Sequence, residues 1–112
     1  MEIGMDVNIL EKQDAFIVSV RGRLNSVTAP ELEKTTSKYA DSDKMKIILD
    51  FNELEYISSA GLRAVLITAK KMKAKQGELL VSGLKDTVKD VFELSGFCSI
   101  IKIYNTVETA LE

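Results

Sequence analysis

The apolar residues of this chain change their spacing along the sequence, and these changes separate predicted strands from predicted helices. Two short β-branched runs, residues 7–10 and 15–20, are joined by Gln13-Asp14, which is typical of the turn of a β-hairpin. Residues 45–51 contain the continuous apolar run Ile47-Ile48-Leu49, which predicts a central strand buried on both faces. Two further short strands are predicted at residues 79–82 and 100–104.

Helical spacing appears between these strands. A first helix is predicted after Thr28, which stands in capping-box spacing with Glu31, and Pro30 is tolerated in its first turn. The strongest helical pattern covers residues 60–76, with Gly77 as a suitable C-cap. The expected inner faces are Leu32, Thr35, Thr36 and Tyr39 in the first helix, and Leu62, Val65, Leu66, Ala69 and Met72 in the second.

Two more helices complete the pattern. One is predicted over residues 85–95, with Val88, Val91 and Phe92 inward and Gly96 as its stop. A short terminal helix follows, for which Asn105 and Glu108 are the candidate caps.

Strands that alternate with helices predict an α/β fold, and the opening hairpin makes its sheet mixed, packed against the helices. The sequence shows no repeat and no linker, so residues 1–112 are interpreted as one domain. Gly22 is expected to end the second strand, with residues 23–26 as a loop, and residues 52–57 are expected to form another loop.

The charge composition disfavours one class of function. The net charge of -2, with both signs interspersed among 29% charged residues, argues against a nucleic-acid-binding protein. Four lysines form the nearest approach to a basic patch, and they are interpreted as a solvated helix end, with a phosphate-binding patch as the alternative. They are Lys70, Lys71, Lys73 and Lys75.

Several classes of protein are disfavoured by what the sequence lacks. Residues 1–13 do not resemble a secretory signal, and no apolar run approaches the ~20 residues of a membrane span. Cys98 is the only cysteine, so no internal disulfide is expected, and we interpret it as a small buried hydrophobic residue of a soluble, cytoplasmic protein.

The chain contains no histidine. This excludes Ser-His-Asp and Cys-His nucleophiles and the usual zinc sites. There is also no phosphate-binding Gly-x-x-x-x-Gly-Lys-Ser/Thr segment. Paired carboxylates are the one remaining route to acid/base chemistry, and we expect neither an enzyme nor a cofactor.

The candidate chemistry lies between the central strand, which contains Asp50, and the helix that begins near Ser59. Loops that follow the carboxyl ends of strands are where α/β sheets bind ligands and partners. Ser58 and Ser59 place two hydroxyls at a helix N-terminus, where they act either as caps or as a phosphorylation site. Gly61 is unusual in a first turn, and we expect its missing side chain to let a partner's backbone approach.

The stretch Leu49-Asp50-Phe51-Asn52-Glu53-Leu54-Glu55-Tyr56-Ile57-Ser58-Ser59-Ala60-Gly61-Leu62 resembles the signature of STAS-domain anti-sigma factor antagonists. Gly22-Arg23-Leu24-Asn25 is similar to the family's Gly-x-Leu-Asp, and Phe92-Glu93-Leu94-Ser95-Gly96-Phe97 is similar to its Phe-x-x-Ser/Thr-Gly-Leu. Two positions depart from the pattern: Ser58 and Asn25 both stand where Asp is frequent.

The resemblance implies a phosphorylation switch at Ser59. In that family the unphosphorylated antagonist binds an anti-sigma factor, which is also a serine kinase, and so frees the sigma factor. Phosphorylation ends the binding, and a serine phosphatase restores it. The partner surface is expected to combine the loop after the second strand with the start of the second helix, at one end of the sheet. The implied partner-binding residues are Arg23, Asn25, Ser26, Ser58, Ala60, Gly61, Leu62 and Arg63. The alternative is a non-switching STAS scaffold or transport-system subunit, in which Ser59 is only a cap.

Overall fold

A computed structural model describes residues 4–112, so residues 1–3 of the predicted domain lie outside the described part. The helices and strands alternate along the chain after an opening pair of strands. They are β1 (Met5–Lys12), β2 (Ala15–Leu24), α1 (Ala29–Ala40), β3 (Lys46–Ile57), α2 (Ser59–Ala74), β4 (Glu78–Ser82), α3 (Asp86–Ser95), β5 (Lys102–Tyr104) and α4 (Val107–Leu111), with a 3-10 turn at Phe97–Ser99 before β5.

The five strands form one sheet in the order β1-β2-β3-β4-β5. β1 and β2 pair antiparallel as a hairpin, and all the other pairs are parallel. The predicted mixed α/β fold is therefore confirmed. Among residues 4–112, no helix is both long and apolar enough to cross a membrane.

The sheet is buried unequally on its two faces. One face packs Val18, Leu49 and Val81 against residues from α1, α2 and α3, which forms the main core. The other face packs Ile17, Ile48 and Leu80 against α4, which forms a smaller core. The central run Ile47-Ile48-Leu49 is thus buried on both sides, as its uninterrupted apolar character predicts.

One predicted loop, residues 52–57, is strand throughout, and another, residues 23–26, is strand in its first half. β3 continues through residues 52–57, and β2 continues past Gly22 to Leu24. Along this extension Phe51, Leu54 and Ile57 are buried at intervals of three, so the alternation that signals a strand is missing. The pairing of β2 with β3 shifts register twice here, as β-bulges do. Gly22 has φ +102, and a side chain there would collide with the Gly4 carbonyl, so this glycine marks the irregularity rather than a strand end.

Helix α2 is rotated relative to the predicted face. Its buried residues are Gly61, Ala64, Val65, Thr68 and Met72. Leu62, Leu66 and Ala69 are only half-buried, so the prediction that Leu66 lies in the core is wrong. A hydrogen bond of 2.8 Å between the hydroxyls of Thr36 and Thr68 joins α1 to α2. Because this buried contact is made by threonines, the apolar pattern alone did not reveal the true face.

Three further predictions about the helices differ from the structure. Thr35 is not in the buried face of α1, and its hydroxyl donates to the Glu31 carbonyl. Thr28 is the N-cap of α1 but makes no side-chain cap bond, so the predicted capping box does not form. Thr106, not Asn105, caps α4.

At the end of α2, Gln76 rather than Gly77 takes the left-handed conformation, with φ 67. Gly96, with φ 82, ends α3 as predicted. Cys98 is exposed, which contradicts its expected burial, because the 3-10 turn directs it outward.

The revised face of α2 is tested by comparing Met72→Ala with Leu66→Ala. Met72 is 0% exposed within the main core, so its truncation should leave a cavity and lower the free energy of unfolding by about 2–5 kcal/mol. Half-buried Leu66 is the matched control and should cost about 1 kcal/mol. Chemical denaturation measures both values. A larger loss for Leu66→Ala than for Met72→Ala would contradict the observed orientation.

Candidate functional site

The carboxyl ends of β2 and β3 bring the two predicted partner-binding segments together. Leu24 and Ile57 are paired at the last position of the two strands. The backbone N–H of Ser58 donates to the Leu24 carbonyl at 2.9 Å. The loop after β2 and the start of α2 therefore lie side by side at this end of the sheet, as the sequence predicted.

Ser58 is the N-cap of α2. Its backbone is extended (φ -103, ψ 178), its hydroxyl accepts from the Gly61 N–H at 3.4 Å, and its carbonyl accepts from the Leu62 N–H at 2.9 Å. A serine cap of this kind contributes about 1 kcal/mol to stability. The hydroxyl of Ser58 is thus committed to holding the helix start.

Ser59 is the first residue of α2 and differs from Ser58 in its exposure and in its hydrogen bonding. It is exposed, and its hydroxyl has no hydrogen-bond partner within residues 4–112. In the same part of the chain, the backbone N–H groups of Ser59 and Ala60 are also unbonded, because the first intrahelical bond is that of Leu62. An anion on the Ser59 side chain would meet these donors and the positive end of the helix dipole.

The loop after β2 is held by Asn25. Its side-chain carbonyl accepts from the N–H groups of Val27 (2.9 Å) and Thr28 (3.1 Å). Thr28 in turn accepts from the Asn25 N–H at 2.9 Å and donates to the Arg23 carbonyl at 2.8 Å. An Asp side chain has the same acceptor oxygen, so Asn25 is compatible with this turn. The turn leaves Ser26 exposed and Val27 82% exposed.

Arg23 and Tyr56 form a second exposed feature beside the serines. They are paired across β2 and β3, and the Arg23 guanidinium lies 4.2 Å from the centre of the Tyr56 ring, a cation–π arrangement. Tyr56 is 39% exposed, and the sequence did not identify it as a partner-binding residue. The large aromatic residue just before Ile57-Ser58 was the only local sign that this position could contact a partner. Its pairing with Arg23 depends on the bulges between β2 and β3, which local sequence does not reveal.

Gly61 does not open the site to a partner, so that prediction is wrong. The residue is buried, and a Cβ atom there would lie 2.8 Å from the side chains of Leu24 and Ile57 and 2.9 Å from the Leu24 carbonyl oxygen. The missing side chain lets α2 approach the ends of β2 and β3.

The remaining predicted residues divide by exposure. Arg63 is exposed, whereas Ala60 and Leu62 are half-buried and pack against the main core. The exposed members of the predicted set are Arg23, Ser26, Ser59 and Arg63. The structure thus offers a partner two polar segments, the Asn25 turn and the first turn of α2.

The residues around the two serines do not form a metal centre in the described part of the chain. Residues 4–112 contain no group of three acidic, cysteine or histidine side chains placed to hold a metal ion. Two lysines have raised pKa values, and both lie at the amino-terminal ends of parallel strands, Lys44 just before β3 and Lys102 at the start of β5. The pKa of Lys44 is raised by its hydrogen bond with Glu11, and that of Lys102 by its hydrogen bond with Glu78.

Comparison with known proteins gives consistent matches over nearly the whole chain. A model of the STAS domain family matches residues 6–110. The chain is 41% identical to a protein of Bordetella bronchiseptica named as the anti-sigma factor antagonist BtrV, over 90% of this chain and 88% of that protein.

Three solved structures share the fold. An anti-sigma factor antagonist from Mycobacterium paratuberculosis superposes with a TM-score of 0.88 at 23% identity, over 96% of this chain and 91% of that one. The unphosphorylated Bacillus antagonist SpoIIAA has a TM-score of 0.81 at 20% identity, over 95% and 93% of the two chains. The same protein in its phosphorylated form gives 0.75 at 19% identity, over 95% and 96%.

Proposed function

This chain belongs to the STAS domain family, and from that premise we propose that it is an anti-sigma factor antagonist whose binding is switched off by phosphorylation of Ser59. Its partners are then an anti-sigma factor with serine-kinase activity and a serine phosphatase. The chain acts in the cytoplasm as a regulatory binding module, without catalytic activity of its own.

The observation that carries the proposal is the contrast between the two adjacent serines. Ser58 is engaged as the helix cap, whereas Ser59 is exposed at the first helical position without a hydrogen-bond partner in the described chain. A kinase can reach the Ser59 hydroxyl without unwinding α2. Modifying Ser58 instead would remove the cap and disturb the helix start.

The exposed side chains near Ser59 are of the types found at protein-binding surfaces. Val27 and the Arg23–Tyr56 pair provide exposed apolar and aromatic area at this end of the sheet, and exposed Arg63 adds a charge in the first turns of α2. Aromatic and arginine side chains are enriched at protein interfaces. The anti-sigma factor is proposed to cover both segments together, so that Ser59 becomes buried in the complex.

A phosphate on Ser59 acts differently on the free chain and on the complex. In the free chain it accepts from the unbonded N–H groups of Ser59 and Ala60, and Arg63, one turn later on the same helical face, adds a positive charge. In the complex, a group of about -1.5 to -2 charge is forced into a surface shaped for a bare hydroxyl. The modification therefore opposes binding more than it opposes folding.

The phosphate acceptor is tested by incubating the purified chain with its candidate anti-sigma kinase and ATP and mapping the product by mass spectrometry. We expect one phosphate, on Ser59. Ser58→Ala should still accept it, and Ser59→Ala should not, because only Ser59 presents a free hydroxyl. Phosphate on Ser58 would overturn the assignment. No phosphate on either residue, with a kinase active on another substrate, would favour the non-switching STAS domain.

A further inference from the structure

The four lysines clustered at the end of α2, of which Lys75 is the C-cap, have two different environments. Lys71 donates to the Ser37 hydroxyl at 2.6 Å, and Lys75 donates to the carbonyls of Ala40 (2.8 Å) and Lys44 (2.9 Å). These two lysines therefore fasten α2 to α1 and to the segment that follows it. Lys70 and Lys73 are exposed and line a groove elsewhere on the same helix.

This groove lies between the second half of α2 and the first residues of β4 and β5, and it encloses about 320 Å³. Its walls are largely apolar, and half-buried Leu66 and Ala69 of α2 face buried Leu79 of β4. At its mouth Ile100 is 63% exposed, which is high for a large aliphatic side chain. The groove is lined by Leu66, Ala69, Lys70, Lys73, Gly77, Glu78, Leu79, Leu80, Ile100 and Lys102.

The charge around this groove is opposite in sign to that of the whole chain. Three lysines surround it, whereas the chain has a net charge of -2. Glu78 is its only acidic lining residue, and the carboxylate of Glu78 is already paired with Lys102 at 3.2 Å. Lys70 and Lys73 have no such partner within residues 4–112. The groove thus combines an apolar floor with two unpaired positive charges on one rim.

We propose that this groove docks an acidic amphipathic segment of a partner protein, whose apolar side chains enter it while its carboxylates meet Lys70 and Lys73. Apolar anchors in a groove with charges at the rim are the recognised mode for amphipathic helices. A lipid surface is disfavoured because helices that bind a bilayer present an outward apolar face to it, whereas the apolar side chains here line a recess. The apolar floor also lacks the convergent polar groups that orient a small ligand.

The groove is separate from the Ser59 site. Ser59 begins α2, and Lys73 lies fourteen residues later, roughly 20 Å along the helix axis at 1.5 Å per residue. The serine site follows the carboxyl end of β3, whereas the groove lies at the amino-terminal ends of β4 and β5. A second partner can therefore occupy the groove while the anti-sigma factor occupies the Ser59 surface.

The test uses a fluorescent synthetic peptide of about 18 residues, with leucine at helical spacing on one face and glutamate on the other. We expect it to bind the full chain, with affinity falling as salt rises, and to shift the NMR amide signals of residues 66–73, 77–80 and 100–102. The double variant Lys70→Glu/Lys73→Glu should weaken binding about tenfold or more. The matched control Lys71→Glu should change it less than about threefold, because Lys71 faces α1.

The proposal would be overturned by no peptide binding at low salt, by amide shifts that map outside the groove, by a control variant as damaging as the double variant, or by equal competition from anionic lipid vesicles. Sedimentation tests the remaining occupant, a second copy of this chain. If the chain self-associates and the double variant does not, the groove binds a second copy of the chain. The proposal of a partner protein would then be overturned. Phosphorylation of Ser59 should be unchanged in the double variant, so failure of the groove is distinguishable from failure of the switch.

Discussion

Phosphorylation of Ser59 is expected to weaken binding to the cognate anti-sigma factor by roughly 100- to 1000-fold, the effect of burying an unpaired charge in an interface. The free energy of unfolding of the free chain should change by less than about 1 kcal/mol, because the phosphate lies at a helix N-terminus among unbonded N–H donors. Isothermal titration calorimetry on the modified and unmodified chains measures the first quantity. Denaturant titration of the same samples measures the second.

Substitutions at Ser59 show whether partner binding is lost because of added charge or because of added volume. Ser59→Asp and Ser59→Asn have nearly the same shape, so a greater loss of binding for Asp isolates the effect of the negative charge. Ser59→Ala should bind the anti-sigma factor about as well as the native chain while refusing phosphate, which leaves the sigma factor released. Equal affinities for the phosphorylated and unphosphorylated chains would contradict the switch. Equal losses for Asp and Asn would show that the surface discriminates by volume rather than by charge.

Any side chain at Gly61 is expected to destabilise the fold. Gly61→Ala gains up to about 1 kcal/mol in helix propensity, but its Cβ must displace the side chains of Leu24 and Ile57 and the Leu24 backbone. Overpacking of this kind costs about 1–3 kcal/mol, and a backbone oxygen at 2.9 Å has little freedom to move. We expect a net loss for Gly61→Ala and a larger one for Gly61→Lys. Denaturant titration measures both losses.

The matched control is Ser59→Ala, an exposed change in the same helical turn, which should alter the free energy of unfolding by less than about 0.5 kcal/mol. A Gly61→Ala variant as stable as the native chain would show that α2 does not approach β2 and β3 so closely. The result also bears on mapping the interface. Loss of partner binding in Gly61→Lys would report a disturbed helix position, so exposed Arg63 and Ser26 are the better probes of contact.

The order and type of the elements follow from local sequence. The hairpin around Gln13-Asp14, the doubly buried Ile47-Ile48-Leu49 run and the stop at Gly96 each depend on neighbours within a few residues. The motif around Ser59 is equally local, so the family and the candidate phosphoacceptor were both readable from the chain. In each case the physical cause, whether side-chain period, turn conformation or helix termination, acts within one element.

Contacts between distant segments determine the strand lengths, the helix orientation and the surroundings of individual side chains. The length of β3 depends on a bulged pairing with β2, and the buried face of α2 depends on a threonine pair that it shares with α1. The inward position of Gly61 and the division of the four lysines between α1 and an apolar groove likewise depend on which element packs beside α2. Local pattern specifies that a side chain is apolar, small or charged. Only the packed structure determines which neighbour it meets, because that neighbour comes from a distant part of the chain.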